Sequence, residues 1–335
     1  LLAHLKLNIT TVPQDGRITV FLPHEKLDIR VSTLPTAFGE SVVMRLLRGG
    51  ATTITFTELG LRGRAAERLQ EELRKPNGMV VITGPTGSGK TTSLYAALKQ
   101  LNTPETKIIT LEDPIEYKLE GVNQSQVDWS KNYTFASGLR SILRQDPDII
   151  MVGEIRDLET AETAVQASLT GHLVLSTIHT NDAAGAVPRF LSMGTKPYLL
   201  APALNAVVAQ RLVRKICEAC AESTTISPED ELRVREVMKT IPKNAEVERD
   251  FTTLSFRHGR GCSVCHGTGF KGRIGIFEVL QINAQVEQII LTGAVSEYQM
   301  RDVAAAQGML TMVQDGILKA LDGITTVDEV FRVAA

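Results

Sequence analysis

Short, mostly apolar runs separated by amphipathic segments dominate the middle of the chain. These runs are residues 79–83, 108–111, 149–152 and 173–178. Fully apolar strands that alternate with helices are typical of a parallel sheet covered on both faces. An amphipathic pattern over 61–75 and a helical pattern from about 91 to 101 flank the first run. The pattern therefore predicts an α/β core over residues 58–215.

Four further segments surround this core. Residues 1–48 alternate short apolar runs with turn signals and predict a small α+β piece, and the Gly- and Thr-rich stretch 49–57 predicts a linker. Residues 216–270 carry all the cysteines and predict an insertion. Residues 271–335 predict a C-terminal helical subdomain. Its capping-box signatures are Ser296–Gln299 and Thr326–Glu329.

The composition is that of an ordinary globular protein. The 335 residues are 43% hydrophobic, and 36 basic against 38 acidic side chains give a formal net charge of -2. Disorder is excluded as the main state, and bulk attraction to nucleic acid is not expected. No apolar stretch approaches the roughly 20 residues that span a bilayer, and the start of the chain lacks the pattern of an export signal. Because residues 1–7 already read as helix-like, we expect the chain to begin inside a domain.

A phosphate-binding loop is the clearest chemical motif. Residues 84–91 match G-x-x-x-x-G-K-[ST] and lie between a predicted strand and a predicted helix, which is the context that this motif requires. Lys90 should reach the β and γ phosphates of ATP, and Thr91 should coordinate Mg²⁺. The predicted cofactor-binding residues are Gly84, Pro85, Thr86, Gly87, Ser88, Gly89, Lys90, Thr91 and Thr92.

An acidic residue ends the third apolar run. Glu154 follows residues 149–152, and in parallel sheets ligands bind beyond the carboxyl ends of the strands. We therefore expect Glu154 to lie beside the phosphate loop and to polarise the attacking water. Gly153 occupies the position of the usual Walker B acid, so Thr91, the phosphates and water should hold most of the Mg²⁺ coordination.

Two other strand ends carry candidate catalytic side chains. Glu112, Asp113 and Glu116 could hold Mg²⁺-bound water or position the γ-phosphate, with an exposed acidic turn as the alternative. His179 follows residues 173–178 and is a candidate sensor of the γ-phosphate, with a structural histidine as the alternative.

The four cysteines form two C-x-x-C pairs. Two such pairs are typical of a structural zinc site with four thiolate ligands. A disulfide pair is less favoured because no export signal is present, and the haem-attachment pattern at 262–266 would leave the first pair without a role. The predicted zinc ligands are Cys217, Cys220, Cys262 and Cys265.

With these motifs, the chain resembles the secretion ATPases, which power type II secretion and type IV pilus assembly. In that family residues 84–91, 111–116, 144–157 and 170–182 are the Walker A motif, the Asp box, an atypical Walker B motif and the His box. The resemblance implies a hexameric, RecA-like P-loop NTPase core with a tetracysteine insertion. It also implies that residues 1–48 are the C-terminal part of a PAS-like domain, and that Arg30 and Arg45 reach the phosphates. Surface cations are the alternative for these arginines.

The resemblance implies a Mg-dependent ATPase motor. Its partners would be further copies of itself and the inner-membrane platform and linker proteins of the machine, with no nucleic acid. It would lie in the cytoplasm, attached peripherally to the inner membrane through those partners. Two other classes stay open: a RecA-like nucleic-acid translocase or helicase, and a nucleotide-gated scaffold with little turnover. Protein secretion, pilus assembly and DNA uptake are not distinguished by these motifs.

Overall fold

Two compact units make up the computed structural model of the chain. The structure describes residues 2–3, 5–22, 26–48, 55–247 and 254–334. The first unit combines Leu1–Ile54 with Ile115–Leu119, and the second combines Thr55–Pro114 with Glu120–Ala335.

The first unit contains an antiparallel sheet of three strands in the order β1-β2-β3. The strands are β1 (Gln14–Phe21), β2 (Lys26–Thr36) and β3 (Gly39–Arg48). Side chains along β1 alternate between half-buried and exposed, as a period of two residues requires. The described residues up to Arg48 form strands and turns without a helix, so the expected α+β character is not found there. Residues 1 and 4 of the helix-like segment lie outside the described residues.

The second unit is built on a seven-stranded sheet in the order β12-β9-β4-β8-β7-β5-β6. Its strands are β4 (Gly78–Thr83), β5 (Ile108–Glu112), β6 (Val122–Gln126), β7 (Ile149–Val152), β8 (Leu173–Ile178), β9 (Leu204–Ile216) and β12 (Phe270–Gln281). All neighbours are parallel except β12, which pairs antiparallel with β9. The four strands predicted from apolar runs are confirmed, and the α/β core with a parallel sheet is present.

Helices pack against this sheet. They are α1 (Phe56–Leu59), α2 (Gly63–Leu73), α3 (Lys90–Leu101), α4 (Phe135–Ile142), α5 (Leu158–Leu169), α6 (Ala186–Ser192), α7 (Pro197–Ala203), α8 (Pro228–Lys239), α9 (Ala284–Leu291), α10 (Glu297–Ala306), α11 (Met312–Leu321) and α12 (Val327–Ala334). The helix predicted over 61–75 is shorter at both ends, since Arg62 and Arg74 are its caps. No helix of the described residues is long and apolar enough to cross a membrane.

The sheet extends beyond the expected core of 58–215. Residues 271–335 do not form a purely helical subdomain, because β12 lies at the sheet edge beside β9. Ile274, Ile276 and Val279 of this strand are buried in the core. A short apolar run has the same hydrophobic pattern in a buried strand as in a buried helix. The sequence pattern therefore did not distinguish β12 from the helices that follow it.

The expected linker also differs from the structure. Residues 49–54 lie outside the described residues. Thr55 caps α1, where its side chain accepts from the Glu58 backbone N–H, and Phe56 is buried. Residues 55–57 therefore belong to the second unit, because their backbone and apolar side chains are already part of its packing.

The insertion is part of the second unit. Its short strands β10 (Ala221–Thr224) and β11 (Phe256–Gly259) pair antiparallel, and α8 lies between them in the chain. Val234 of α8 and Phe256 of β11 share an apolar cluster with Ile317 and Val330 of the C-terminal helices. The insertion and these helices thus stabilise each other.

The two capping boxes have different outcomes. Ser296 and Gln299 exchange both capping hydrogen bonds at the start of α10, as predicted. At the start of α12 the Glu329 N–H donates to Thr326 Oγ1 at 3.3 Å, but the Glu329 carboxylate binds Arg214 on β9. The second box is therefore only half formed, because a guanidinium offers the carboxylate a stronger bond than the helix terminus does.

Candidate nucleotide-binding site

The phosphate loop connects β4 to α3 at the carboxyl edge of the parallel strands. Gly84, Gly87 and Gly89 have φ angles of 144°, 81° and 91°, which L side chains rarely adopt. A Cβ at Gly84 would overlap the carbonyl oxygen of Gln210. These glycines let backbone N–H groups turn towards one point in front of the α3 N-terminus, which favours phosphate.

Lys90 and Thr91 open α3 as the motif requires. Lys90 Nζ donates to the carbonyl oxygens of Gly84 at 2.8 Å and Pro85 at 3.1 Å, so the amine lies over the loop. Burial lowers the pKa of Lys90, and the nearby Glu154 carboxylate opposes this. Ser88 Oγ is buried and has no partner among the described residues. The Lys90 amine, the buried Ser88 hydroxyl and the glycine loop together suit a polyphosphate ligand.

Two neighbouring strands hold the loop in place. Gln210 of β9 is buried, and its Nε2 donates to the carbonyl oxygen of Ser88 at 2.7 Å. On the other side, Thr83 Oγ1 accepts from the Thr180 N–H at 2.8 Å. The sequence pattern did not identify either contact, since each joins residues that are about a hundred positions apart.

Glu154 and His179 come together beside this loop. His179 Nε2 lies 3.4 Å from Glu154 Oε2, and Arg156 Nε lies 2.6 Å from the same oxygen. The Glu154 side chain is only 14% exposed. A Cβ at Gly153 would lie 3.3 Å from the Leu111 carbonyl oxygen, which leaves little room for a larger residue there. Glu154 thus lies beside His179, and its charge acts on the amine of Lys90, as expected for a residue next to the phosphate loop.

The acidic residues at and after the end of β5 each have their own partners within their compact unit. Glu112 is buried, and its carboxylate accepts from Thr110 Oγ1 at 2.6 Å, Gln124 Nε2 at 3.0 Å and the Tyr95 hydroxyl. Asp113 accepts from Trp129, and Glu116 belongs to the first unit. That these acids hold Mg²⁺-bound water or position the γ-phosphate stays a prediction.

The two candidate arginines are neighbours in the three-stranded sheet. Arg30 lies directly opposite Arg17 on β1 and Arg45 on β3, so the three side chains share one face. Arg30 Nη2 lies 2.9 Å from Glu116 Oε2 and donates to the Ile115 carbonyl oxygen at 3.1 Å. Arg45 is exposed.

The four cysteines form one cluster. Their sulfurs lie within 4.8 Å of one another, and none is in a disulfide. Cys217–Cys262, Cys220–Cys265 and Cys262–Cys265 sulfur distances are 3.9, 3.9 and 3.7 Å. The N–H groups of Cys262 and Gly269 donate to Cys265 Sγ and lower the pKa of that thiol to about 6. Thiolates at these separations could hold one metal ion.

The sheet, the glycine loop and its lysine define a P-loop protein of the α/β class. The model of the family "Type II/IV secretion system protein" matches residues 1–332, and the chain belongs to that family.

Relatives with known names support this membership. The chain is 47% identical over 332 residues to Type II secretion system protein E of Pseudomonas aeruginosa, covering 99% of this chain and 63% of the relative. It is 44% identical over 319 residues to the type IV pilus assembly ATPase PilB of Thermus thermophilus, covering 95% of this chain and 35% of the relative. The chain therefore spans less than two thirds of these proteins.

Solved structures share the fold. The pilus retraction motor PilT with bound ADP superposes with a TM-score of 0.65 at 25% identity, over 95% of this chain and 77% of that one. The ATPase DotB of Legionella pneumophila gives a TM-score of 0.67 at 22% identity, over 96% and 76% of the two chains, and shows likeness of fold alone.

Proposed function

We propose that this chain is the ATP-hydrolysing part of a motor for type II secretion or type IV pilus assembly. The observation that carries the proposal is the convergence of Lys90, Glu154 and His179 at the edge of the sheet that holds the phosphate loop. The names of the relatives supply the biological context.

In the proposed mechanism the loop binds the phosphates of ATP. Backbone N–H groups of residues 84–89 and the N-terminus of α3 face the phosphate oxygens. The Lys90 amine exchanges the carbonyl oxygens of Gly84 and Pro85 for the β and γ phosphates. Thr91, in the first turn of α3, would hold Mg²⁺, which neutralises phosphate charge when bound.

Glu154 orients the attacking water in this proposal. Its carboxylate is little exposed and lies next to His179, so one oxygen can accept a proton from water while His179 contacts the γ-phosphate. The Tyr95 hydroxyl of α3 donates to the buried carboxylate of Glu112. This bond joins the end of β5 to the helix that follows the phosphate loop.

The test is an ATPase assay on the purified chain. We expect Glu154→Gln to lower turnover by about 10²–10³-fold with nucleotide binding retained, and Lys90→Ala to abolish binding. Glu162→Gln is the matched control, since Glu162 is an exposed acid on α5. Unchanged turnover in Glu154→Gln would show that the assignment of the base is wrong. Nucleotide binding without measurable turnover in the unchanged chain would instead favour the nucleotide-gated scaffold.

We further propose a PAS-like first unit whose Arg30 and Arg45 reach phosphates in a homo-hexamer. Support comes from their place on one face of the sheet and from the planar, permanently charged guanidinium. Arg30→Ala and Arg45→Ala should lower kcat, whereas Arg17→Ala serves as the control on the same face. Sedimentation with ATP should give a six-fold mass, and a purely monomeric active chain would contradict the ring.

The cysteine cluster is proposed to bind structural Zn²⁺. Four sulfurs at about 2.3 Å from one ion in a tetrahedron lie about 3.8 Å apart, close to the observed 3.7 and 3.9 Å. Metal analysis should give one zinc per chain, lost in Cys265→Ser and retained in Ser263→Ala. Metal-free protein with an unchanged insertion, measured by hydrogen exchange, would refute a structural role.

The proposed partners are the inner-membrane platform and linker proteins of the machine, with the motor at the cytoplasmic side. The nucleic-acid translocase is the second candidate class. Stimulation of turnover by single-stranded DNA that weakens steeply with salt would favour it.

A further inference from the structure

A cavity of about 290 Å³ lies in the second unit, outside the nucleotide site. The start of α2 forms one side of it, and β12 and α11 form the other. Phe277, Val279, Met309 and Leu318 give it an apolar wall. The volume is close to the lower end of small-molecule pockets, about 300 Å³.

Arg68 of α2 lines this cavity and is only 8% exposed. Its guanidinium donates to the Gln307 carbonyl oxygen, and no carboxylate of the described residues lies within 4.0 Å of it. Glu71, three residues further along α2, is exposed and attracts Arg68 without a direct ion pair. A guanidinium carries five N–H donors and a permanent charge, and an unpaired charge is costly to bury. Arg68 therefore lacks a carboxylate in direct contact.

The other charges on the cavity wall are matched. Arg62 pairs with Asp322 at 2.5 Å, Arg64 pairs with Glu246, and Asp315 pairs with Lys319 at 2.6 Å. Arg68 is thus the one surplus charge among the described lining residues. A single positive surplus favours a monoanion.

The start of α2 adds to this positive potential. The helix has 11 residues, its N-cap residue makes no side-chain capping bond, and its first turn has no acid. The positive end of its dipole is therefore not offset locally. Arg68 also lines a second, more polar cavity of about 550 Å³.

We propose that the cavity binds a small amphipathic organic anion. Its carboxylate pairs with Arg68, and its apolar body packs against Phe277 and Val279. This site shares no residue with the phosphate loop, so the proposal does not depend on ATP hydrolysis.

The test uses octanoate as the probe, with octanol as its neutral counterpart of equal chain length. Calorimetry on the full chain should show octanoate binding that is at least tenfold weaker in Arg68→Met. Arg74→Met is the matched control, because Arg74 is an exposed arginine at the other end of α2 and lines neither cavity. Octanol should bind to the unchanged chain more weakly than octanoate does. Its affinity should be the same for Arg68→Met and Arg74→Met.

Stability separates this proposal from a structural role for Arg68. Because Arg68→Met removes an unpaired buried charge, its urea midpoint without octanoate should equal or exceed that of the unchanged chain. Octanoate should raise the midpoint of the unchanged chain and of Arg68→Lys, but not that of Arg68→Met. Three outcomes would each overturn the proposal. They are a lowered urea midpoint in Arg68→Met, no binding of octanoate to the unchanged chain, and equal affinity of the unchanged chain for octanoate and octanol.

Discussion

Replacement of Glu329 by glutamine tests how the last helix is anchored to the central sheet. Glu329 is 2% exposed; Oε1 accepts from Arg214 Nη2 at 2.5 Å, and Oε2 accepts from the Arg214 backbone N–H at 3.1 Å. Arg332 adds two further hydrogen bonds. Burial alone would raise the pKa of Glu329, but the hydrogen bonds from Arg214 and Arg332 outweigh it and lower the pKa to about 2.

The shift from the ordinary value of 4.5 sets the size of the effect. It corresponds to about 3 kcal/mol of folding free energy at pH 7. The arginine partners are about half exposed, and solvent screening reduces this to about 2 kcal/mol. Since the folded-state pKa is lowered, the contribution is complete above pH 4.5 and is lost as the pH falls towards 2.

Urea unfolding at several pH values is the assay. At pH 7 we expect Glu329→Gln to lose about 2 kcal/mol, and the difference from the unchanged chain should shrink by more than half by about pH 3. Asp328→Asn is the control, because Asp328 is an exposed acid on the same helix. A loss in Glu329→Gln that does not vary with pH would refute the ion-pair argument.

Three other substitutions test the nucleotide site and its supports. Gly84→Ala should lower ATP affinity at least tenfold in a fluorescence titration, because its Cβ meets the Gln210 carbonyl at a φ of 144°; near-normal affinity would contradict this. Gln210→Leu removes the bond to Ser88 and should raise the KM for ATP about fivefold, with an unchanged urea midpoint; a lowered midpoint would instead indicate a general packing role. Burial raises the pKa of Glu278 in the folded chain. The protonated side chain therefore stabilises the fold at low pH, and this stabilisation is lost as the pH rises through the raised pKa. The stability of the unchanged chain relative to Glu278→Gln should therefore fall with rising pH, and a flat difference would contradict this.

Local patterns predicted the parts of the fold that depend on nearby residues. The strand β8 is mostly apolar, and the phosphate loop follows from the spacing of its residues between a predicted strand and a predicted helix, so both were predicted from the sequence. The strand β9 was not, because the polar Asn205, Gln210 and Arg211 interrupt its apolar pattern. These side chains form their hydrogen bonds with residues far away in the sequence. Asn205 donates to the carbonyl oxygen of Asn77, Gln210 to that of Ser88 and Arg211 to that of Val333.

The same limit applies to the site itself. Glu154 and His179 were each expected at the carboxyl edge of the parallel strands, and the structure brings them within 3.4 Å of each other. Glu116 lies only four residues after Glu112, the last residue of β5, yet it belongs to the other compact unit. There it pairs with Arg30. Sequence spacing cannot reveal such a change of unit, since it depends on the path of the chain.

Two strands that the sequence pattern did not identify, β9 and β12, control the position of the site. Gln210 of β9 holds the phosphate loop, whereas Glu278 of β12 holds the segment that follows His179. The Glu278 carboxylate accepts from the Ala183 N–H and from the Met312 N–H at the start of α11, each at 3.0 Å. One buried carboxylate thus joins the start of α11 to the segment that follows His179, and Glu278→Gln should weaken this connection.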